Sequence, residues 1–462
     1  MFENIIAQPV TALLRADMSS NRLAPSMLFF GPPASGKGST ALETARAVSC
    51  NNVAAPWNCT CPDCARHRSL LHPDLVMIGP RNFAAEIAAS RTAFLRDPTS
   101  AAGRSLFIRS VRKLLARFSP AVWEYESKSG RVNPLSLLQS LEEELGEFES
   151  LAASSSTHDS SVLEKLIDSL IKNSLKLEDE CMGETIPIAQ IRRAAYWSRL
   201  SPLGKRKTLI IENADRMKDE ARNSLLKLLE EPPESVCIIL TAPRRESLLP
   251  TILSRLRPYR FVARSADEER EIIRRVFRDS RMTPSETDQS DQSLKGTQFG
   301  LVASYLDSFL PQSSEKLLPL AAFFVAAVAR SAAIFAKNRR AAPNRAPIAS
   351  TLTALGNYCA PIAESADFER LSDAKGVIAA LISRSGNFEG RSFARFLALS
   401  LDLVSWSLKQ QASDPGHIAC CDVWRKRLGE AQSAYGVWNQ RPELTLESLF
   451  HKLRDDMGAG ID

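Results

Sequence analysis

The sequence predicts an α/β fold in which a parallel sheet core is followed by a helical C-terminal region. Four short apolar runs have the length and composition of buried parallel strands, at residues 27–30, 75–78, 208–211 and 236–240. The first run ends at a glycine-rich loop, and helical spacing begins directly after it, which is typical of a strand–loop–helix unit. From residue 315 onward the apolar residues follow helical spacing.

The composition is that of a globular protein with several domains. The chain has 462 residues, of which 44% are hydrophobic, and it contains nine cysteines. This length and apolar content exclude a globally disordered chain, a collagen-like repeat and a small disulfide-stapled fold. The formal net charge of +6 permits contact with a polyanion without requiring it, so partners must be inferred from local sites.

The N-terminal residues and the longest apolar run bear on the location of the protein. Glu3 stands where an export signal has basic residues, and no sustained apolar stretch follows it. The longest apolar run, residues 317–329, is shorter than the stretch of about 20 residues that a membrane-spanning helix needs. We therefore expect a buried helix there, no association with a membrane, and a cytoplasmic protein.

Four of the nine cysteines lie in one short window with the spacing C-x8-C-x-C-x2-C. In a reducing compartment, clustered cysteines hold a metal more often than they form disulfides, and four thiolates close a tetrahedral structural Zn²⁺ site. His67 and His72 are alternative ligands, and four unliganded thiols are the alternative to any metal. The predicted zinc ligands are Cys50, Cys59, Cys61 and Cys64.

The loop GPPASGK at residues 31–37 matches the G-x-x-x-x-G-K part of a phosphate-binding P-loop. Gly31 and Gly36 let backbone N–H groups surround phosphate oxygens at a helix N-terminus, and Lys37 reaches the terminal phosphates. The motif continues with Ser or Thr, whose hydroxyl binds Mg²⁺, but here Gly38 follows. Ser39 does not substitute for it, because one residue along a helix rotates the side chain by about 100°.

The acidic partner motif of such loops is altered as well. Residues 208–215, TLIIENAD, resemble a strand that ends in Asp-Glu-Ala-Asp. Glu212 keeps a carboxylate at the first acidic position, which makes it the fourth predicted nucleotide-site residue beside Gly31, Gly36 and Lys37. Asn213 replaces the second acid, and an amide cannot act as a general base. The sequence therefore predicts a site without ATP hydrolysis and leaves open whether ATP binds.

Six segments together carry a resemblance to a known family. They are FENIIAQ at residues 2–8, the glycine loop, the cysteine window, HPDL at 72–75, NSLLKLLEEPP at 223–233 and LPTILSR at 249–255. They resemble the bacterial DNA polymerase III clamp-loader family, AAA+ proteins that open the sliding clamp. This resemblance implies an AAA+ P-loop NTPase-type core.

The resemblance and the helical patterns together give an expected domain organisation. The AAA+ core is expected at residues 1–262, with a zinc module at 50–64. About a hundred residues lie between Gly79 and Thr185, where a short crossover would suffice, so a helical insertion is expected at 80–185. A helical lid (263–312) and a helical C-terminal collar for oligomerisation (313–462) are expected to follow.

Within this family, the gamma/tau subunit keeps intact ATPase motifs, whereas the delta-prime subunit is similar in fold and catalytically degenerate. Gly38 and Asn213 favour the delta-prime subunit. The family's Ser-Arg-Cys motif reads Ser254-Arg255-Leu256 here. The resemblance implies that Arg255 is a catalytic arginine finger, donated in trans to the ATP of a neighbouring subunit, where a guanidinium stabilises the transferring phosphoryl group. The alternative is an arginine in a surface ion pair.

The expected function is thus that of a delta-prime-like subunit of the DNA polymerase III holoenzyme, without ATPase activity of its own. The partners implied are the gamma/tau and delta subunits, the sliding clamp and primer-template DNA. One alternative is the gamma/tau motor subunit itself, and another is a zinc-stabilised nucleic-acid-binding adaptor outside replication. Basic segments at residues 205–207 and 337–340 are either solvated or in contact with DNA phosphates, and no DNA-contacting residue is assigned.

Overall fold

A computed structural model of the chain describes most of its residues, in two units. The described ranges are 1–123, 134–153, 160–280, 301–310, 313–338, 346–363, 373–385, 388, 390–410, 415–438 and 441–456. The chain divides into a first unit, Met1–Leu310, and a second unit, Pro311–Asp462.

The first unit is built on a parallel sheet of five strands in the order β2-β3-β4-β1-β5. The strands are β1 Ser26–Phe30, β2 Leu75–Ile78, β3 Lys207–Ile211, β4 Val236–Ala242 and β5 Arg257–Arg260. The prediction of an α/β parallel core is confirmed, and its four predicted strands are β1 to β4. These strands are buried along almost their whole length, which explains their uninterrupted apolar sequences.

The fifth strand was not predicted, because its sequence carries little apolar signal. β5 reads Arg-Pro-Tyr-Arg, and only Tyr259 is buried. It pairs with β1 alone and forms an edge of the sheet, where proline is tolerated and outward side chains remain in water.

The remaining elements of the first unit are helices. Those of the first unit are α1 Val10–Ser19, α2 Lys37–Ser49, α3 Pro62–Arg68, α4 Ala84–Arg96, α5 Ala101–Leu115, α6 Pro134–Ala153, α7 Ser160–Cys181, α8 Ile188–Arg199, α9 Asp219–Glu230, α10 Pro250–Leu253, α11 Ala266–Val276 and α12 Leu301–Asp307. Local signals explain several of their ends. Pro232 and Pro233 follow the end of α9, and Ser265 and Glu268 form a capping box at the start of α11.

Helices α4 to α7 occupy the residues predicted as an insertion, and they share a core of their own. Phe94, Phe107 and Phe148 meet there, with ring centroids 5.3 Å apart for Phe94–Phe148 and 5.1 Å for Phe107–Phe148. Such edge-to-face pairs are a favourable aromatic arrangement. The part of the predicted connection at residues 281–298 lies outside the described residues, and the division into core, lid and collar stays a prediction.

The second unit is helical in its described residues. Its helices are α13 Ser314–Asn338, α14 Ala346–Ala363, α15 Ala374–Ser385, α16 Gly390–Gln410, α17 Pro415–Trp438 and α18 Pro442–Asp456. One helix among the described residues, at Ser314–Ala336, is long and apolar enough to cross a membrane, but 78% of the window concerned is buried inside the structure. Nearly all of residues 317–329 lie in the core of this unit, so the predicted buried helix is confirmed.

Candidate functional site

The predicted glycine loop lies between β1 and α2, at the carboxyl edge of the sheet. Gly36 precedes α2 with φ +92°, a left-handed conformation that glycine adopts readily. The Lys37 Nζ donates hydrogen bonds to the carbonyl oxygens of Gly31 and Pro32, both at 2.6 Å. The lysine thus closes the loop on itself. Burial lowers the pKa of Lys37 to about 8, although the charges of Glu212 and Asp215 partly offset this effect.

Glu212 follows β3 and projects over the first turn of α2. A Cβ atom placed on Gly38 would lie 2.3 Å from the Glu212 Oε1, closer than any side chain tolerates. The missing Ser or Thr of the P-loop motif and the longer acid are therefore one feature. The Glu212 carboxylate occupies the space beside Gly38 that a side chain at this position would need.

Two arginines from the insertion hold this carboxylate. The Arg81 Nη1 lies 3.3 Å from the Glu212 Oε1, and the buried Arg117 donates to the Glu212 Oε2 and, at 2.8 Å, to the Ile78 carbonyl. Arg81 also donates to the Glu86 Oε2 at 2.6 Å, and Lys113 pairs with the other oxygen of Glu86. We call these five residues, Arg81, Glu86, Lys113, Arg117 and Glu212, the charge cluster.

The charge cluster keeps both of its carboxyl groups ionised. Burial by itself raises the pKa of Glu212, but the charges of Arg117 and Arg81 outweigh it, and the pKa lies below its usual value. For Glu86 the same opposition of burial against Lys113 and Arg81 lowers the pKa to about 2. Because three cations face two carboxylates, the cluster carries one net positive charge.

The other groups of the altered motif offer little to a metal ion. The Asn213 amide donates to the Pro80 carbonyl at 2.7 Å, and the Thr40 hydroxyl donates to the Gly36 carbonyl at 3.0 Å. Asp215 is the exception, since its buried Oδ1 has no hydrogen-bond partner and burial raises its pKa. From the other side, Arg264 donates to the carbonyl oxygens of Ala34 and Ile6, at 2.7 and 3.0 Å.

Arg255 lies two residues after the end of α10, and its side chain is 32% exposed. It donates to the Glu230 carboxylate at 2.7 Å and to the Thr251 carbonyl at 2.6 Å. This is the surface ion pair that was given above as the alternative to an arginine finger. An exposed pair of this kind stabilises by about 0–1 kcal/mol, so Arg255 can leave Glu230 at small cost.

The cysteine window folds into one cluster. The four sulfur atoms of Cys50, Cys59, Cys61 and Cys64 all lie within 4.8 Å of one another, and the Sγ atoms of Cys50 and Cys59 are 3.6 Å apart. Zn–S bonds of about 2.3 Å in a tetrahedron place the sulfurs about 3.8 Å apart, which fits this arrangement. Four cysteines of this geometry can hold a metal ion, despite the short spacing between Cys59 and Cys61.

A buried arginine supports the cluster from behind. The Arg46 Nη1 donates to the Cys64 Sγ at 2.9 Å, and the same guanidinium pairs with the Glu43 carboxylate, 2.7 Å away. The two predicted alternative ligands have other partners: the His67 Nε2 lies 2.9 Å from the Ser49 hydroxyl and the His72 Nε2 lies 3.3 Å from the Asp63 carboxylate. Neither histidine belongs to the group of four among the described residues.

The structure thus brings Gly31, Gly36, Lys37 and Glu212 together and places Arg255 on a different surface feature. Arg81 and Arg117 of the charge cluster were not predicted, because no local pattern links them to Glu212, which lies 131 and 95 positions away in the chain. Arg46 carried a weak signal, since it stands three residues after Glu43 on α2.

Comparison with known proteins identifies the family. The model of the family described as DNA polymerase III, delta subunit, matches residues 6–129 and 150–265, slightly more than half of the chain. The DNA polymerase III subunit delta' of Pseudomonas aeruginosa is 38% identical over 80 residues, a match covering 17% of this chain and 24% of that protein. The match therefore spans about a quarter of the length of this curated relative.

A solved structure is similar at lower identity. A DNA polymerase III gamma subunit-related protein from Thermotoga maritima is 20% identical, with a TM-score of 0.27, over 60% of this chain and 82% of that one. The family assignment rests on the sequence match, which includes both the glycine loop and the cysteine window. The chain belongs to the DNA polymerase III delta subunit family of clamp-loader AAA+ proteins.

Proposed function

We propose that this chain is a non-hydrolysing, delta-prime-like subunit of the DNA polymerase III clamp loader. The observation that carries the proposal is the Glu212 carboxylate, held by Arg81 and Arg117 against Gly38. It fills the place of the Mg²⁺-binding hydroxyl, while Asn213 removes the base, so the chain lacks two requirements for phosphoryl transfer to water. Its role is then structural and trans-acting within a complex.

In this role Arg255 serves the ATP site of a neighbouring loader subunit. Its planar, permanently charged fork suits the charge that develops on a transferring phosphoryl group. In the isolated chain the guanidinium pairs with the Glu230 carboxylate, and in the complex it would leave this weak pair for the neighbour's ATP. The partners proposed are gamma/tau and delta subunits, the sliding clamp and primer-template DNA, and the place of action is the cytoplasm.

The cysteine cluster supplies a structural rather than a catalytic element. We propose Zn²⁺ as its metal, because four thiolates without an open position suit a closed tetrahedral site. Zinc bound there stabilises the turn between α2 and α3, and the cation of Arg46 offsets part of the negative charge of the four thiolates.

The decisive experiment is reconstitution of the loader with its candidate partner subunits. Arg255→Ala is expected to lower clamp-stimulated ATPase activity, by about 10³-fold at the site that Arg255 serves. Arg255→Lys should recover little of the loss, because lysine lacks the fork. Arg216→Ala is the matched control, since Arg216 also forms an exposed pair, with Glu184 at 2.8 Å.

Two results contradict the proposal. Unchanged activity of the Arg255→Ala loader would show that this arginine is only a surface residue. ATP turnover by the isolated chain that Lys37→Ala abolishes would identify a motor subunit of the gamma/tau type instead.

A further inference from the structure

The glycine loop keeps the features that bind phosphate but not those that bind Mg²⁺. The loop lies between a strand and a helix, Gly36 has its left-handed conformation, and Lys37 lies within hydrogen-bond distance of the loop's own carbonyl oxygens. The first N–H groups of α2 have no partner within the helix, as at any helix N-terminus. Phosphate oxygens could accept hydrogen bonds from Lys37, in place of the loop's carbonyl oxygens, and from these N–H groups.

Beside this loop, the Arg81 guanidinium lies next to the first turn of α2. The Arg81 Nη1 is 3.2 Å from the position of a Cβ on Gly38, and its side chain is 31% exposed. Arg81 is fixed there from two sides, by Glu86 at 2.6 Å and Glu212 at 3.3 Å. It is therefore a positioned cation next to the first turn of α2, still partly open to a ligand.

The second guanidinium completes the replacement. Arg117 is almost fully buried, pairs with the other oxygen of Glu212, and keeps its Nε without a hydrogen-bond partner. Each oxygen of Glu212 pairs with a guanidinium, so a metal ion would have to compete with an arginine for this carboxylate. Two guanidinium charges thus neutralise a carboxylate that would otherwise pair with a divalent cation.

The net charge around the loop is positive and therefore favours the binding of an anion. Lys37 faces Glu212 and Asp215, so Lys37 and Asp215 add one charge of each sign to the net positive charge of the charge cluster. Arg264, on the opposite side of the loop, adds a further cation. An incoming polyphosphate would be attracted without bringing Mg²⁺ with it.

We propose that Arg81, fixed with Arg117 on Glu212, takes the place of Mg²⁺ beside the glycine loop, so that this chain binds a nucleoside di- or triphosphate without a divalent cation. The inference deepens the proposed non-hydrolysing role at the same site, because a nucleotide held in this way lacks the metal that hydrolysis requires. Its test is independent of Arg255 and of the loader partners.

The test measures the affinity of the full-length isolated chain for ADP and ATP by calorimetry, once with Mg²⁺ and once with excess EDTA. The dissociation constants in the two buffers are expected to agree within about threefold. A gain of about tenfold or more in the presence of Mg²⁺ would overturn the proposal, since a metal would then take part through Asp215. Failure to bind either nucleotide at millimolar concentration would also overturn it.

Variants separate the role of Arg81 from a role in folding. Arg81→Ala is expected to weaken metal-free binding about tenfold or more, because a charge-assisted hydrogen bond is lost. Glu86 and Glu212 keep Lys113 and Arg117 as partners, so the fold should persist, as thermal unfolding can verify. Unchanged affinity of a folded Arg81→Ala chain contradicts the proposal.

Arg91→Ala is the matched control for this variant. Arg91 lies on α4 of the same insertion, pairs with Asp168 at 2.8 Å, and is 36% exposed, close to the value for Arg81. Its removal should leave nucleotide affinity unchanged. Loader activity that the Arg255→Ala substitution leaves unchanged, together with intact metal-free nucleotide binding, would refute the proposed function alone. Loader activity that depends on Arg255, together with no metal-free binding, would refute this inference alone.

Discussion

The first unit contains two sites suited to a positive charge, and the two differ in where that charge would come from. In the cysteine cluster, four sulfurs from a window of fifteen residues converge within 4.8 Å and can hold a metal ion. Beside the glycine loop, Arg81 and Arg117 provide the positive charge from the chain itself. Arg46 on Cys64 and Arg81 at Gly38 also differ in access, since Arg46 is buried and Arg81 is partly exposed.

This difference shows how a cation site can be kept or replaced. Thiolates bind Zn²⁺ far more strongly than they bind a guanidinium, so a cluster of four needs its metal. A carboxylate, by contrast, pairs well with arginine, and two guanidinium groups satisfy both oxygens of Glu212. We therefore expect the glycine loop to stay folded without a metal ion and the cysteine cluster to depend on one.

Metal removal should produce the largest effect and should separate the two sites. A chelator is expected to remove about one Zn²⁺ per chain and with it about 10–16 kcal/mol of apparent binding free energy that holds the cluster. Metal analysis and thermal unfolding of the chelated chain measure this loss. Cys64→Ser should act in the same direction, while Cys181→Ser, outside the group, should not. A metal-free chain whose four thiols are freely reactive and whose stability is unchanged would break the comparison.

Removing the shared carboxylate should produce the next largest effect. Glu212→Ala leaves Arg117 buried without its partner, which is expected to reduce the free energy of unfolding by about 3–5 kcal/mol. Denaturant unfolding measures the change, and metal content should stay the same. Glu230→Ala is the control, because its exposed pair with Arg255 contributes about 0–1 kcal/mol. Equal effects of the two substitutions would mean that the charge cluster is not a buried unit.

Acid should weaken the charge cluster in a defined pH range. The pKa of Glu86 is about 2 in the folded chain, against an ordinary value of 4.5. A lowered carboxyl pKa stabilises the fold above the ordinary value, and this contribution is lost as the pH falls from about 4.5 towards about 2. Stability measured over this range should therefore fall less steeply for Glu86→Gln than for the native chain. Identical pH profiles would contradict the assignment of Glu86.

The smallest expected effect comes from a single methyl group at Gly38. Gly38→Ala places a Cβ 2.3 Å from the Glu212 Oε1 and is expected to destabilise the chain by about 1–3 kcal/mol. Gly146→Ala on α6 is the matched control, since nothing lies within 4 Å of its added Cβ, and it should stabilise by about 0.5–1 kcal/mol. Gly38→Thr should restore no ATP hydrolysis. A stable, hydrolysing Gly38→Thr chain would show that Glu212 moves aside.

Much of the core could be read from the sequence because its signals are local. Strands β1 to β4 are buried apolar runs, and the loop at residues 31–37 and the end of α9 at Pro232 carry their own short-range patterns. The edge strand β5 was not predicted, because both of its arginines are exposed and it carries little apolar sequence. The basic segment at residues 337–340, for which DNA contact was considered, lies outside the described residues, apart from the backbone of its first two.

By itself the sequence determined three features of the chain. The glycine loop lacks the Ser or Thr that should follow Lys37, Glu212 lacks the second acidic residue that should follow it, and four cysteines are close enough in the chain to share a metal ion. Only the tertiary structure decided that the first two features are connected. Along the chain, Gly38 and the longer Glu212 are separate departures from the motif. In the folded protein the Glu212 carboxylate lies against Gly38, and Arg81 and Arg117 pair with the same carboxylate. The physical reason is that charge pairing across more than ninety residues leaves no periodicity, whereas metal ligands from one short window do.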